Sequence, residues 1–241
     1  MTRPATEALP TPEAKNHYVE AMFDAIAPRY DLLNKVLSLK LDSFWRRAAA
    51  KQTALKSGDR VLDVCTGTGD FACELSRWVG PSGAVIGTDF SKEMLRWGEP
   101  KLPKYPNVSL QWADTQALPF PDAHFAAVTV AFGIRNVADT QRGLAEMARV
   151  TKPGGRVVIL EFNRPKNALV AWGYGLYQKL MPLIGGLISG RRSAYAYLPA
   201  SIDAFHSREA LARLMETAGL VDIRVTDLNL GTVVIHRGLK K

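Results

Sequence analysis

From Gly58 onward, short β-rich apolar runs alternate with amphipathic helical ones, and this alternation confines the chain to a small set of folds. The strand candidates are "RVLDVC" from Arg60, "AVIGTD" from Ala84, "VSLQWAD" from Val108, "FAAVTVAF" from Phe125 and "GRVVILEF" from Gly155. Helical stretches begin near Asp70 and behind a Ser91 cap. A third runs from about Asp139 to Val150, with Leu144, Met147 and Ala148 on one face, and stops before the turn signal "KPGG". Apolar strands spaced by such helices imply a mostly parallel sheet covered on both faces. The C-terminal end breaks the rhythm. Ser207 caps a helix that ends at Gly219, and "LVDIRVTDL" and "GTVVIHRG" then read as a hairpin joined around Asn229 to Gly231, an antiparallel edge on a parallel sheet.

One strand-to-helix junction stands apart. In "VLDVCTGTGDFA", Val61 to Ala72, an apolar strand carrying Asp63 turns into a loop with Gly67 and Gly69. Without a Cβ the backbone can approach a ligand closely, and Gly67 to Ala72 fits the loose GxGxxA form of a dinucleotide fingerprint. Asp89 ends the next strand, 20 residues after Gly69, where a carboxylate can accept both ribose hydroxyls of an adenosine. It also neighbours the Ser91 cap. Asp114 follows the third strand, at the carboxyl edge where open α/β sheets bind ligands, and suits an adenine amino group or a turn. Asp63 needs partners, because a bare buried carboxylate is costly. The backbone amides of the glycine turn are the expected donors, which makes Asp63 a brace for the loop and an attractor for a cationic ligand end.

Two adenosine cofactors suit this layout. A nicotinamide dinucleotide brings a pyrophosphate, whereas S-adenosylmethionine brings a sulfonium and an amino acid. Three carboxylates favour the cation. The closing hairpin also matches the sheet of class I, Rossmann-like S-adenosylmethionine-dependent methyltransferases, seven strands in the order 3-2-1-4-5-7-6. That α/β fold is expected here, with N-terminal helices and a helical insertion before the last hairpin.

At 241 residues the chain is long enough for one well-filled domain. Residues 1–16, with three prolines and no apolar core, read as a flexible leader. Residues 17–241 form a single domain, with a helical cap over 17–57 and an insertion over 164–205. The two cysteines, Cys65 and Cys73, lie outside any CxxC, and the four histidines lack metal-ligand spacing, so no metal site is expected and a cytoplasmic location is the default. A formal charge of +8 favours anionic partners, nucleic acid or an acidic membrane surface. The basic residues are dispersed without interleaved aromatics, which argues against nucleic acid. An RNA or protein methyltransferase is the competing enzyme class, but the tetrapeptide typical of amino-group methylation is absent. A non-catalytic adenosine-binding scaffold is the third class, and the intact loop argues against it.

Beyond residue 17 the chain resembles the C-methyltransferases of ubiquinone and menaquinone biosynthesis. "YDLLNKVLSLKLDSFW", Tyr30 to Trp45, matches that family's Y-D-x-M-N-x-x-(apolar)-S-x-x-x-H-x-x-W, with Leu33 in place of methionine and Asp42 in place of histidine. "RVTKPGGRVVILEFN", Arg149 to Asn163, matches its second signature, except that Thr151 replaces an apolar residue and Asn163 a serine. "AFGIRNV" from Ala131 and "HRG" from His236 are also similar to it. The resemblance implies S-adenosylmethionine contacts at Thr68, Asp89, Asp114, Thr115 and Ala131, with Gly67 and Gly69 in the loop. It also implies a polyprenylated quinol substrate methylated at a ring carbon, demethylmenaquinol first, with 2-methoxy-6-polyprenyl-1,4-benzoquinol as the alternative.

A quinol carbon becomes nucleophilic when a neighbouring hydroxyl ionises, so the protein must align the reactants and handle a proton. Arg135 and Asn136, after the fourth strand, are the catalytic candidates. Arginine is a poor base but stabilises a phenolate or orients a water; its other reading is a structural ion pair. Tyr30 and Asn34 are placed to close over the cofactor, and His206 is a further candidate base. In the insertion, Leu169, Trp172, Leu176, Tyr177 and Leu180 share one helical face, while Val170, Ala171 and Tyr174 make the other sides apolar. Such a helix wants burial, lipid or a greasy ligand. Lys179 and Pro182 are expected to interrupt it, so it should not span a bilayer. Arg164, Lys166, Arg191 and Arg192 flank it and suit anionic headgroups. A lid over an isoprenoid tail at a membrane surface explains both features; a homodimer interface or core helix is the other use of the segment.

Overall fold

Period-two alternation sets the middle of the sheet. In β1 (Arg60–Val64), Leu62 and Val64 face one side and Val61 and Asp63 the other. The computed structural model describes residues 9–11, 14–189 and 192–241, with side chains for all of these except 179–196. In chain order the elements are α1 (Lys15–Ile26), α2 (Tyr30–Leu37), α3 (Leu41–Gln52), β1, α4 (Asp70–Val79), β2 (Ala84–Asp89), α5 (Lys92–Gly98), β3 (Val108–Trp112), β4 (Phe125–Ala131), α6 (Thr140–Val150), β5 (Thr151–Phe162), α7 (Ala168–Ser189), α8 (Arg192–Ala204), α9 (Arg208–Thr217), β6 (Leu220–Leu228) and β7 (Val233–Lys240).

The strands form one sheet in the expected order, β3-β2-β1-β4-β5-β7-β6. The first five run parallel, and β7 lies antiparallel between β5 and β6. On one face Leu62, Val64, Val128 and Val130 pack under α6 and α9 through Leu144, Met147, Leu211 and Met215. On the other, Val61, Val85, Ala127 and Val158 pack under α3 and α4 through Trp45, Phe71 and Leu75. Strand order reverses between β1 and β4, so a crevice opens at their carboxyl ends, the usual ligand position in such sheets. Ser91, Asp139 and Ser207 each cap a helix by accepting a backbone N–H, from Met94, Arg142 and Ala210.

Four local expectations change. "KPGG" sits inside β5 as a bulge: Thr151 pairs with Phe125 and Arg156 with Ala127, so the four residues 152–155 stand opposite Ala126 alone. Helix α7 runs through Pro182 without a break; among the described residues, no helix is long and apolar enough to cross a membrane. Helix α1 starts at Lys15, inside the segment drawn as leader.

The fourth concerns Asp63. Its donors are hydroxyls, not backbone amides: Thr66 Oγ1 at 2.6 Å and Thr129 Oγ1 at 2.7 Å. Thr129 is its rung partner across β1 and β4, so the strand register itself supplies the second donor. Burial pushes the Asp63 carboxyl up to about 7, so the folded state holds a proton that the unfolded chain releases. Stability from this group is therefore lost as pH rises through about 7. Asp63→Asn should keep the hydroxyl contacts, since threonine oxygens also accept, and remain neutral at every pH. Because the loss runs from the unfolded carboxyl's ordinary value up to about 7, we expect the variant to lose less stability than the parent between pH 5 and 8, by up to ~3 kcal/mol, as read by calorimetric unfolding. An unchanged pH slope would refute the buried-carboxyl account.

Candidate functional site

The glycine loop alternates left-handed residues: Cys65 at φ +50°, Gly67 at +59° and Gly69 at +80°. Cys65 and Phe132, at φ +59°, are non-glycine residues in this region at the ends of β1 and β4; backbone held this way concentrates at functional sites. The two turns meet so closely that a Cβ on Gly133 would lie 2.3 Å from that of Cys65. At Gly67, a Cβ would press on Met94 at 3.2 Å and Tyr30 at 3.6 Å. The loop is pinned from β2, where Asp89 accepts the Gly67 N–H at 2.8 Å and the Ser91 N–H at 2.9 Å. The Phe90 N–H also reaches this carboxylate, and its two oxygens retain acceptor capacity for a ligand. Burial pushes Asp89 up to about 6.

Above this loop lies a cavity of about 250 Å³. Of the residues expected in the site, it gathers Tyr30, Gly67, Asp89, Asp114, Thr115, Ala131 and Asn136. Asp63, Thr68, Gly69 and Arg135 do not line it. Asp63 braces the loop from below, Gly69 precedes α4, and Thr68 is buried, donating to Asp31 at 2.6 Å and accepting from Lys101 at 3.0 Å. Asp114 also closes a turn, accepting the Gln116 N–H at 2.9 Å. Residues not anticipated in the site include Asn16, Glu20 and Phe23 of α1, Phe90, Met94, Trp112 and Phe132. Trp112 stands at the carboxyl end of β3, a position that could have flagged it; α1 carries no recognisable motif.

The lining suits a cation. Glu20, Asp89 and Asp114 contribute carboxylates, and no lysine or arginine is among the described lining residues, although the chain as a whole is basic. A pyrophosphate would meet acid at such a surface, whereas a sulfonium with an ammonium would find counter-charges. This lining fits S-adenosylmethionine: Asp89 could accept ribose hydroxyls and Asp114 could meet the base, with Phe90, Met94 and Trp112 available as apolar cover.

The N-terminal helices close the cavity through polar clasps. Ser91 Oγ donates to Asp24 at 2.6 Å, Lys101 bridges Asp31 at 2.7 Å and Asp70, and Lys15 donates to the carbonyls of Arg135 at 3.0 Å and Val137 at 2.9 Å.

A second, larger cavity of about 510 Å³ shares Phe23, Tyr30 and Phe132 with the first. Arg135 and Asn34 line this one. Arg135 is buried, ion-paired to Glu161 at 2.8 Å, within 3.3 Å of Ser201 Oγ and 5.7 Å above the Phe162 ring. The ion pair proposed as its alternative role thus exists, and it leaves the guanidinium against the cavity wall. Asn136 accepts from Tyr197 Oη at 3.1 Å. The four histidines lie outside both cavities: His206 is exposed, and His236 is buried against the Arg208 carbonyl. Val170, Gly173, Tyr174 and Tyr177 of α7 line the larger cavity, while Leu169, Trp172 and Leu176 face outward, 76%, 72% and 51% exposed. Leu180, Arg191 and Arg192 fall outside the described side chains.

The chain is similar to known proteins over nearly its full length. The solved S-adenosylmethionine-dependent methyltransferase from Aquifex aeolicus superposes with a TM-score of 0.62 at 22% identity, covering 84% of this chain and 93% of that one. The [4+2]-cyclase SpnF superposes at 0.68 with 18% identity, covering 96% and 97%, so the fold alone does not fix the chemistry. Sequence relatives are closer. The "Ubiquinone/menaquinone biosynthesis C-methyltransferase UbiE" of Geobacter sulfurreducens is 46% identical over 230 residues, 94% of this chain and 90% of that protein. The "Demethylmenaquinone methyltransferase" of Deinococcus radiodurans is 50% identical over 207 residues, 85% and 86%. The model of the ubiE/COQ5 methyltransferase family matches residues 11–240, and with the acidic cavity beside the glycine loop this establishes that the chain belongs to the ubiE/COQ5 methyltransferase family.

Proposed function

We propose that this protein methylates a ring carbon of a polyprenylated quinol, converting demethylmenaquinol to menaquinol with S-adenosylmethionine as donor. The supporting observation is the junction of two unlike cavities at Phe23, Tyr30 and Phe132, one acidic and one large and mainly apolar. When bound, the cofactor supplies a methyl group already activated on sulfur. The chain's own residues do the rest. Asp89 and Asp114 orient the donor, and the clasped helices α1 and α2 keep water from the junction. Arg135, fixed by Glu161, stabilises negative charge on the quinol oxygen. Segment 17–57, extended to Lys15, serves as the cap, and 164–205 as the lid over the prenyl tail. The direct test is methyl transfer from labelled S-adenosylmethionine to demethylmenaquinol and to 2-methoxy-6-polyprenyl-1,4-benzoquinol. Faster transfer to the benzoquinol would reassign the ring, and none to either would overturn the substrate.

The membrane also enters this reading. Leu39 and Leu230, 81% and 78% exposed, line the larger cavity together with the inward residues of α7, whose other side carries Leu169, Trp172 and Leu176. We assign these exposed apolar side chains to the lipid surface that holds the substrate. Arg164 and Lys166 pair with Asp203 at 3.0 Å and Glu209 at 3.1 Å, so apolar contact rather than these cations carries the attachment.

Three outcomes follow. Asp89 is needed as a carboxylate, so S-adenosylmethionine affinity, measured by calorimetry, should be flat above pH 7 and fall about tenfold per unit below about 6; a profile flat to pH 5 defeats that role. Trp172→Ser with Leu176→Ser should weaken vesicle binding at least roughly tenfold, because the apolar surface lost is worth ~2 kcal/mol or more. Both side chains are exposed, so melting should not change; dissociation of a dimer without vesicles would instead give this face to a second copy. Arg135→Ala strands Glu161 in the interior and should cost ~3 kcal/mol or more of stability. Arg135→Lys keeps the charge and should fold, yet turn over at least about tenfold more slowly without the planar fork. Parent-like turnover in the lysine variant would remove Arg135 from the chemistry.

A further inference from the structure

Polar side chains around the larger cavity pair with one another inside the protein. Arg135 is held by Glu161, Asp42 by Arg46 and Ser38, and Tyr30 by Asn34. Tyr177 Oη donates to the Leu37 carbonyl at 2.5 Å, and Tyr197 Oη to Asn136 Oδ1 at 3.1 Å. Of the buried side-chain polar atoms that lack a partner among the described residues, only Tyr174 Oη belongs to a residue lining this cavity. A buried hydroxyl without a partner is a net cost to the fold. The Tyr174 side chain lines the cavity while its hydroxyl is buried behind that wall, so a turn of the side chain toward the cavity would give this hydroxyl the partner it lacks in the polar group of a ligand.

We propose that Tyr174 is a substrate-contacting residue whose hydroxyl donates a hydrogen bond to a ring oxygen of the quinol, on the side of the cavity shared with Arg135. The inference rests on the quinol reading given above. A prenyl tail offers no acceptor, so the ring oxygen is the group that can meet this hydroxyl. The titratable and charged groups around it are Tyr177 on α7, Arg135 after β4, Glu161 on β5 and Asp203 on α8. Burial raises the Tyr174 phenol well above its ordinary value, so it stays protonated and acts as a donor. Once the quinol hydroxyl has given up its proton, its oxygen carries negative charge and the neutral contact becomes a charge-assisted one. That charge leaves the oxygen as the ring carbon bonds to the methyl and the methyl–sulfur bond breaks, and the ring then sheds its C–H proton to restore the aromatic quinol. No proton or electron passes through Tyr174.

Tyr174→Phe removes one oxygen and keeps the ring. Parent turnover of a short-tailed demethylmenaquinol is measured first; its absence overturns the substrate reading and this inference together. With the parent active, the variant should lose roughly ten- to a hundredfold in kcat/KM, with S-adenosylmethionine affinity unchanged. The basic shift of its pH–rate profile should show the bound quinol ionising less readily. Its melting temperature should equal or exceed that of the parent, because the unpartnered hydroxyl is gone. In competition assays the parent should prefer 1-naphthol over naphthalene, and the variant should lose most of that preference. Parent-like kcat/KM and pH profile in the variant overturn the inference while leaving the substrate reading intact. Loss of cofactor affinity with a lower melting temperature overturns it too, and makes Tyr174 a packing residue.

Discussion

Asp89 Oδ2 receives the Gly67 amide at 2.8 Å, and the shape of the crevice follows from that contact. It ties the end of β2 to the turn after β1, and Asp89's other oxygen orders the start of the next helix through Ser91. Ser91 in turn reaches Asp24 on α1. One carboxylate thus connects the sheet edge, the ligand loop and the N-terminal cover. Beneath it Asp63 repeats the device with hydroxyl donors. Both carboxyls are buried, and burial raises both. The loop is held by groups that would rather be neutral, and a cation beside them relieves that tension. This explains how a protein of net charge +8 keeps an acidic pocket at its centre.

Arg135 and Glu161 form the opposite arrangement, a charged pair buried 26 positions apart in sequence. The carboxylate ends β5 and the guanidinium follows β4, two strands paired in parallel with Ala131 opposite Leu160. The pair is consequently a product of register. An isolated buried pair of this kind contributes little net stability, but it fixes the direction of a guanidinium that would otherwise sweep a wide arc. Stacking over Phe162 restrains it further.

What could be read from the sequence was what depends on near neighbours. Strand alternation, the glycine turn, the Ser91, Asp139 and Ser207 caps and the closing hairpin are local, and each sits where the residue pattern indicates. Asp89 and Asp114 could be placed at the crevice because parallel strands end at one edge, whereas Thr115 and Ala131, which also line the cavity, were indicated only by the family resemblance. Contacts that depend on which strand lies beside which were not readable. Glu161 as partner of Arg135, Thr129 as donor to Asp63, and Glu20 in the cavity wall carry no local signal. The "KPGG" turn and Pro182 misled for a related reason: a turn or breaker residue marks a local preference, which strand pairing around the bulge and the continuing helix override.

Phe23, Tyr30 and Phe132 belong to both cavities, and this shared wall bears on traffic. Among the exposed residues lining each chamber are Asn16 and Trp112 for the smaller and Leu39 and Leu230 for the larger, on different elements. On the function proposed above, a water-soluble reactant and a greasy one would arrive from separate sides and meet only at the partition. Neither would have to leave before the other is exchanged. On the lipid-surface attachment proposed above, the protein would renew its soluble reactant from the aqueous side again and again, without letting go of the surface beneath it.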